Sequence, residues 1–309
     1  LLFTASLAVT IMKLANSPVT QHVFEEIPFY LKRDDLLHSQ FSGNKARKLM
    51  SLLQHDDPNI SHLIGYGSPQ ANSLLSLAAL AAIKGWQLEF YVDRIPSWLK
   101  ARPIGNYRGA LDLGAKVIAM SDICAEPIHP EAFIKKHRQD EHHLLVPEGG
   151  RSPIAEAGVK TLADEIVEWA RFNQDKHIVV ALPSGTGTTA LYLNKHLNQH
   201  GIEVMTCPCV GGKNYLTTQF NDLNEANHPK VLSRSQKHHF GKLYEADYRV
   251  WQSLLEQTHI EFDLLYDPLM WRCLLEWYPK NVDKQLLYIH QGGVLGNESM
   301  LPRYQRKFD

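Results

Sequence analysis

Two stretches, far apart in the chain, carry residue types that could do chemistry together. The first is Ser42-Gly43-Asn44-Lys45-Ala46-Arg47-Lys48-Leu49. Gly43 beside Asn44 permits unusual backbone angles and lets a planar group approach closely. Leu49, Leu52 and Leu53 recur at helical spacing, so Lys45 falls in a first helical turn, where backbone N–H groups point outward. The positive helix end and the cations Arg47 and Lys48 both favour a neutral amine at Lys45, which a Schiff-base lysine needs. Taken alone, the stretch reads better as a solvated basic helix start. The second stretch changes that weighing.

Ser184-Gly185-Thr186-Gly187-Thr188-Thr189 follows an apolar strand and precedes a helical Ala190–Leu193. Small residues and hydroxyls there form a nest of N–H donors at a helix start, suited to a phosphate. It lacks the Gly-Lys-Ser/Thr of a nucleotide P-loop and the glycine spacing of a dinucleotide fingerprint. A phosphate with no lysine or magnesium of its own fits a monophosphate better than a triphosphate. An isolated loop of this kind is more often a tight strand–helix turn. A reactive lysine and a monophosphate cradle together point to pyridoxal phosphate, whose aldehyde needs the first and whose ester needs the second.

The elements that must position these stretches alternate. Phe29–Lys32, His62–Ile64, Leu88–Val92, Lys116–Met120, His143–Val146, His177–Leu182, Glu203–Met205 and Leu286–His290 read as strands. Leu74–Lys84 (ended by Gly85), Asn106–Leu113, Ile154–Phe172 and Met270–Trp277 read as helices. In the third of these, Ile154, Val159, Leu162, Ile166 and Trp169 are placed to face a core. Alternation of this kind predicts an α/β architecture with largely parallel sheets. With no repeat and no linker, a second lobe is expected to be inserted rather than appended.

Composition narrows the class. A chain of 309 residues, 44% hydrophobic, can bury a core and hold two lobes. A formal charge of −1 gives no sign of nucleic-acid or anionic-membrane binding. The 16 histidines are scattered, and the adjacent pairs His142-His143 and His238-His239 do not share a face, so solvated histidines are expected rather than a metal site. Four cysteines point to a reducing compartment, and Cys207-Pro-Cys209 lacks the second pair of a zinc ribbon and reads as a buried strand. Leu1–Ile11 is faintly like a signal core but has no basic flank. Met12-Lys13 reads as the true start, with residues 1–11 upstream of it. No apolar run reaches membrane-spanning length. A soluble cytoplasmic protein is expected.

The chain resembles the D-cysteine desulfhydrase / 1-aminocyclopropane-1-carboxylate (ACC) deaminase family of pyridoxal-phosphate enzymes. The likeness runs from about Phe29 to Gly296 in family order. It rests on Lys32-Arg33-Asp34-Asp35 with Ser42–Leu49, on Pro147-Glu148-Gly149-Gly150-Arg151-Ser152, on Ser184–Thr189 and on His290-Gln291-Gly292-Gly293, where Gln291 replaces the usual Thr. It implies the tryptophan-synthase-β-like fold (fold type II). The larger lobe would comprise 12–55 and 156–309, the smaller inserted lobe 56–155, and the protein would be a homodimer.

The resemblance also implies roles. Lys45 is the Schiff-base lysine, and Ser184, Gly185, Thr186, Gly187 and Thr188 form the phosphate loop. Asn72 pairs with the ring hydroxyl, Tyr266 is the active-site tyrosine and Asp267 the neighbour of the pyridine nitrogen. A carboxylate there keeps that nitrogen protonated and the ring a strong electron sink. In the family's Gln-Ser-Asn substrate loop this chain has Gln70-Ala71-Asn72, so Ala71 replaces the serine that handles substrate. Ser68 and Ser73, at the same helix start, are available to substitute, and Tyr244 resembles a second family tyrosine. The implied activity is a lyase or deaminase acting on a small amino acid and yielding ammonia and a 2-oxo acid. Asp267 leans toward ACC ring opening and Ala71 against it, so D-cysteine desulfhydration stays open. The rival class is a catalytically weak pyridoxal-phosphate-binding or sensor protein, favoured by the loss of the loop serine.

Overall fold

The computed structural model describes residues 14–138, 142–173 and 177–309. The expectations for residues 1–11 and for a start at Met12-Lys13 lie outside them. The described strands are β1 (Val19–Phe24), β2 (Ile27–Lys32), β3 (His62–Tyr66), β4 (Gln87–Val92), β5 (Lys116–Ala119), β6 (His143–Val146), β7 (His177–Ser184), β8 (Glu203–Pro208), β9 (Lys230–Val231) and β10 (Lys284–Ile289). They form a four-stranded sheet in the order β5-β4-β3-β6 and a six-stranded sheet in the order β1-β2-β10-β7-β8-β9. All pairings are parallel except β1 with β2.

Parallel strands covered on both faces explain the unbroken apolar runs. Along β7, Val179 and Ala181 enter one core, whereas Ile178, Val180 and Leu182 enter the core on the opposite face. The edge strand β1, half-exposed and rich in polar residues, gave no such run and was not anticipated. Helix Ala155–Arg171 buries Val159, Leu162 and Ile166 as its spacing predicts. Ile154 does not follow them: it precedes the helix and is 41% exposed.

Helix Gly43–Leu53 lies between two bodies of structure. Ala46, Leu49 and Leu52 pack into the core of the four-stranded sheet. On its other side Arg47, fully buried, is held by Asp34 (2.8 and 3.0 Å) and Glu165 (2.6 and 2.9 Å). Lys32 completes the cluster, 2.6 Å from Glu165. Removing one partner of such a cluster leaves an uncompensated buried charge, at a cost of about 3–5 kcal/mol. Lys32, Asp34 and Arg47 therefore fix where the lysine helix begins. Because the parallel strands share a polarity, the loops leaving their carboxyl ends gather on one side, where open α/β sheets bind ligands.

Candidate active site

Those loops surround a cavity of about 420 Å³. Lys45, Ser68, Gln70, Ala71, Asn72, Ser73, Gly185, Thr186 and Tyr266, all marked from sequence, line it. Glu148, Tyr215, Phe240 and Arg303 line it as well and were not marked as site residues.

Lys45 sits in the first turn, as its spacing required. Gly43, at φ +64°, cannot be replaced there, because any side chain would run into the Gln291 carbonyl. Burial lowers the Lys45 pKa from 10.5 to about 8, and the nearby Asp263 carboxylate partly opposes that drop. The neutral fraction at pH 7 thereby rises about 300-fold over an ordinary lysine. The expected cause needs correcting. Arg47 is neutralised by Asp34 and Glu165, so desolvation, not a neighbouring cation, dominates. Lys48 is also buried, and its amine donates to the Gly149 carbonyl, tying the lysine helix to the 148–150 turn.

The cradle is built where β7 ends and helix Thr188–Leu197 begins. Gly187 has φ +74° and backs onto Leu216 and Phe220, so a side chain there would be both strained and crowded. Thr186 and Thr188 hydroxyls lie 3.1 Å apart. The Thr189 hydroxyl is buried without any hydrogen-bond partner among the described residues. Of this loop Gly185 and Thr186 line the cavity, whereas Gly187, Thr188 and Thr189 are not among its lining residues; the N–H groups of a helix start and the orphan Thr189 hydroxyl fit a phosphate ester. Ser184 does not belong to the cavity wall: its hydroxyl pairs with Thr206 on β8 at 2.6 Å. Replacing Thr189 by Val is expected to weaken pyridoxal-phosphate binding about tenfold. Thermal stability should hold or rise, since an unpaired polar atom is removed. Titration of the cofactor-free protein alongside a melting curve checks both.

Asn72 lies at the start of helix Asn72–Lys84. Its amide accepts from Asn106 Nδ2 (2.7 Å) and donates to Asp263 Oδ2 (2.8 Å). Asp263 is the carboxylate that sequence reasoning missed. Burial pushes its pKa up to about 6 while its hydrogen bonds and Lys45 pull it down. Asp267 is not among the cavity-lining residues. Its oxygens accept from the Tyr288 hydroxyl (2.6 Å) and the Asp263 N–H (2.9 Å), and burial followed by the Asp263 charge raises its pKa to about 8. Burial thus favours the neutral acid at Asp267 in the cofactor-free chain.

A raised carboxyl pKa means that the folded chain holds a proton the unfolded chain has released, so stability falls as pH rises toward the folded value. Buried His290 and part-buried His22, both lowered from 6.5, work in the opposite direction only below that pH. Asp263, half-titrated near 6, adds to the fall at the acid end, and the lowered Lys45, half-titrated near 8, opposes it at the alkaline end. Burial also lowers the Lys48 amine well below 10.5, which pulls stability the other way as pH rises. The contribution of Asp267, a fall of up to about 1.4 kcal/mol per pH unit below pH 8, is therefore expected as the difference between the wild-type and Asp267→Asn proteins, as chemical denaturation of both across about pH 6.5–8 would measure.

Tyr266 stands over Gly185, where a Cβ would lie 3.5 Å from its ring. Burial, then the Asp263 charge, holds its hydroxyl firmly protonated. Tyr244 is not part of the cavity wall: its hydroxyl accepts from the His239 N–H at 3.0 Å and its ring stacks on His238. His238 itself is paired with Asp247 at 2.7 Å rather than simply solvated. In the substrate loop, Ala71 is the residue preceding helix Asn72–Lys84 and has no side chain to cap it. Gln70 Nε2 is buried without a partner among the described residues. No group of three or more metal-ligating side chains occurs among the described residues.

No protein-family model matches the chain. It is similar to a Thermotoga maritima protein provisionally named 1-aminocyclopropane-1-carboxylate deaminase, 24% identical over 294 residues that cover 86% of this chain and 89% of that one. A protein of Oryza sativa subsp. japonica, provisionally named D-cysteine desulfhydrase 2, mitochondrial, is 22% identical over 328 residues, covering 91% and 81%. Among solved structures, an ACC deaminase homologue superposes with a TM-score of 0.76 at 19% identity, over 96% of this chain and 95% of that one. The fold is that of the type II pyridoxal-phosphate enzymes, as the resemblance implied.

Proposed function

We propose that the protein is a pyridoxal-phosphate-dependent lyase or deaminase acting on a small amino acid and releasing ammonia and a 2-oxo acid. The observation that carries this reading is one cavity bounded on one side by a desolvated lysine amine and on another by Gly185 and Thr186 of the strand–helix turn. Lys45 would hold the aldehyde end, Gly185–Thr189 the phosphate and Asn72 the ring hydroxyl. Pyridoxal phosphate, when bound, supplies an electron sink for charge developing beside the amino group.

The chain's own groups do the remaining work. Neutral Lys45 Nζ accepts a proton, and Asp263 steadies the ammonium so formed. The Tyr266 hydroxyl is a proton-bearing donor toward the cavity. The first N–H groups of helix Asn72–Lys84, left uncovered by Ala71, suit a substrate carboxylate, with Ser68, Gln70 and Ser73 beside them. Tyr215 and Phe240 add aromatic side chains to the cavity wall. Support for the reaction class comes from the likeness to an ACC deaminase and a D-cysteine desulfhydrase.

The same reading carries a homodimer in the cytoplasm, in keeping with four free cysteines, and an inserted lobe at 56–155, in keeping with β3–β6 lying within it. Light scattering tests the dimer. The function is tested by following the absorbance of the cofactor-loaded protein during titration with D- and L-amino acids and ACC, while assaying ammonia, sulfide and 2-oxo acid. Turnover of at least one is expected. Sulfide from D-cysteine or ammonia from ACC decides between the two branches. If no amino acid perturbs the bound cofactor, the weakly catalytic binding protein that Ala71 favours is the correct reading.

A further inference from the structure

Strand β10 lies between β2, which leads to the lysine helix, and β7, which leads to the cradle. The second residue after it is Gln291, which makes contacts on both sides. Its Oε1 accepts from Asn44 Nδ2 at 2.9 Å, and its backbone carbonyl accepts from the Asn44 N–H at 3.2 Å. Its Nε2 donates to the Pro183 carbonyl at 2.7 Å, just ahead of the cradle. Holding Asn44 by its Nδ2 leaves Oδ1 turned to Lys45, whose amine lies 3.4 Å away. Gly43 is pressed against the Gln291 carbonyl with no room for a side chain.

We infer that Gln291 is a positioning residue that sets the spacing between the lysine turn and the phosphate cradle, for a ligand that must reach both. The inference rests on the pyridoxal-phosphate reading above. The threonine usual at this place in the resembling family has one hydroxyl on a short side chain and cannot reach both neighbours. Gln reaches farther and carries a donor and an acceptor at its tip. A brace of this kind matters only to a ligand that spans it. A molecule touching one end alone gains nothing from the fixed spacing.

The test uses the cofactor-free full chain and three probes: pyridoxal phosphate, pyridoxal and inorganic phosphate. Gln291→Met keeps the volume and removes both side-chain bonds. It is expected to raise the dissociation constant for pyridoxal phosphate about tenfold while leaving the other two probes within about twofold. Gln291→Glu keeps the acceptor for Asn44 but sets a carboxylate oxygen against the Pro183 carbonyl, so it should weaken pyridoxal phosphate at least as much as Met does, and it carries the test alone if the Met variant does not fold. Equal weakening of all three probes would mark a general fold defect and overturn the inference. So would unchanged binding of pyridoxal phosphate. If the unaltered protein binds no pyridoxal phosphate, the cofactor reading itself fails, an outcome separate from either of these.

Discussion

Replacing Lys45 by Ala is expected to eliminate covalent attachment of pyridoxal phosphate and to lower turnover at least about a thousandfold. The effect is large because two roles fall on one amine: the bond to the cofactor aldehyde and the movement of a proton at the reacting carbon. No neighbour can take them over. Lys48 is the other amine on the same helix, but it is buried against the Gly149 carbonyl and does not line the cavity. Stability should not suffer, since Lys45 is a desolvated cation whose burial is unfavourable. Absorbance of the loaded variant, steady-state rates and a melting curve separate these outcomes. Loss of activity together with loss of folding would leave the role of Lys45 unsupported.

Tyr266→Phe is expected to lower turnover about 10²- to 10⁴-fold while pyridoxal phosphate still binds. The ring packs against Gly185 and Phe240, with ring centroids 5.2 Å apart in the second case, and Phe preserves those contacts. Only the hydroxyl is removed. Because burial and the Asp263 charge keep that hydroxyl protonated, it acts as a donor, and the wild-type rate should show no alkaline limb from its ionisation over the usual pH range. A pH–rate profile of both proteins with a turned-over amino acid checks this. A variant that lost the cofactor, or one that kept full activity, would contradict the assignment.

Much of this site was legible because its chemistry is local. A lysine in a glycine turn and a Gly/Thr run after an apolar strand announce themselves within a few residues, and the strands around them are parallel and doubly covered. What was missed depends on partners far away in sequence. Asp263 has no motif of its own and gains its role from Asn72, 191 positions distant. Asp267 was marked because the resemblance puts a carboxylate or Thr after that tyrosine, and successive residues entering a helix point about 100° apart. Tyr266 faces the cavity and Asp267 faces Tyr288 on β10. Ser184 is the last residue of β7, where its hydroxyl meets Thr206 on the neighbouring strand while the loop beyond turns to the cavity. Gln291 drew notice only as a departure from a resembling family. Its two-sided reach is a property of strand order, which single-sequence reading does not supply.

The most direct test is to load the full chain with pyridoxal phosphate, reduce it with borohydride, digest it and map the labelled peptide by mass spectrometry. Phosphopyridoxyl mass on Lys45 is the expected result. A label on Lys48 or on a surface lysine, or no stable label at all, would contradict the assignment of this amine to the cofactor.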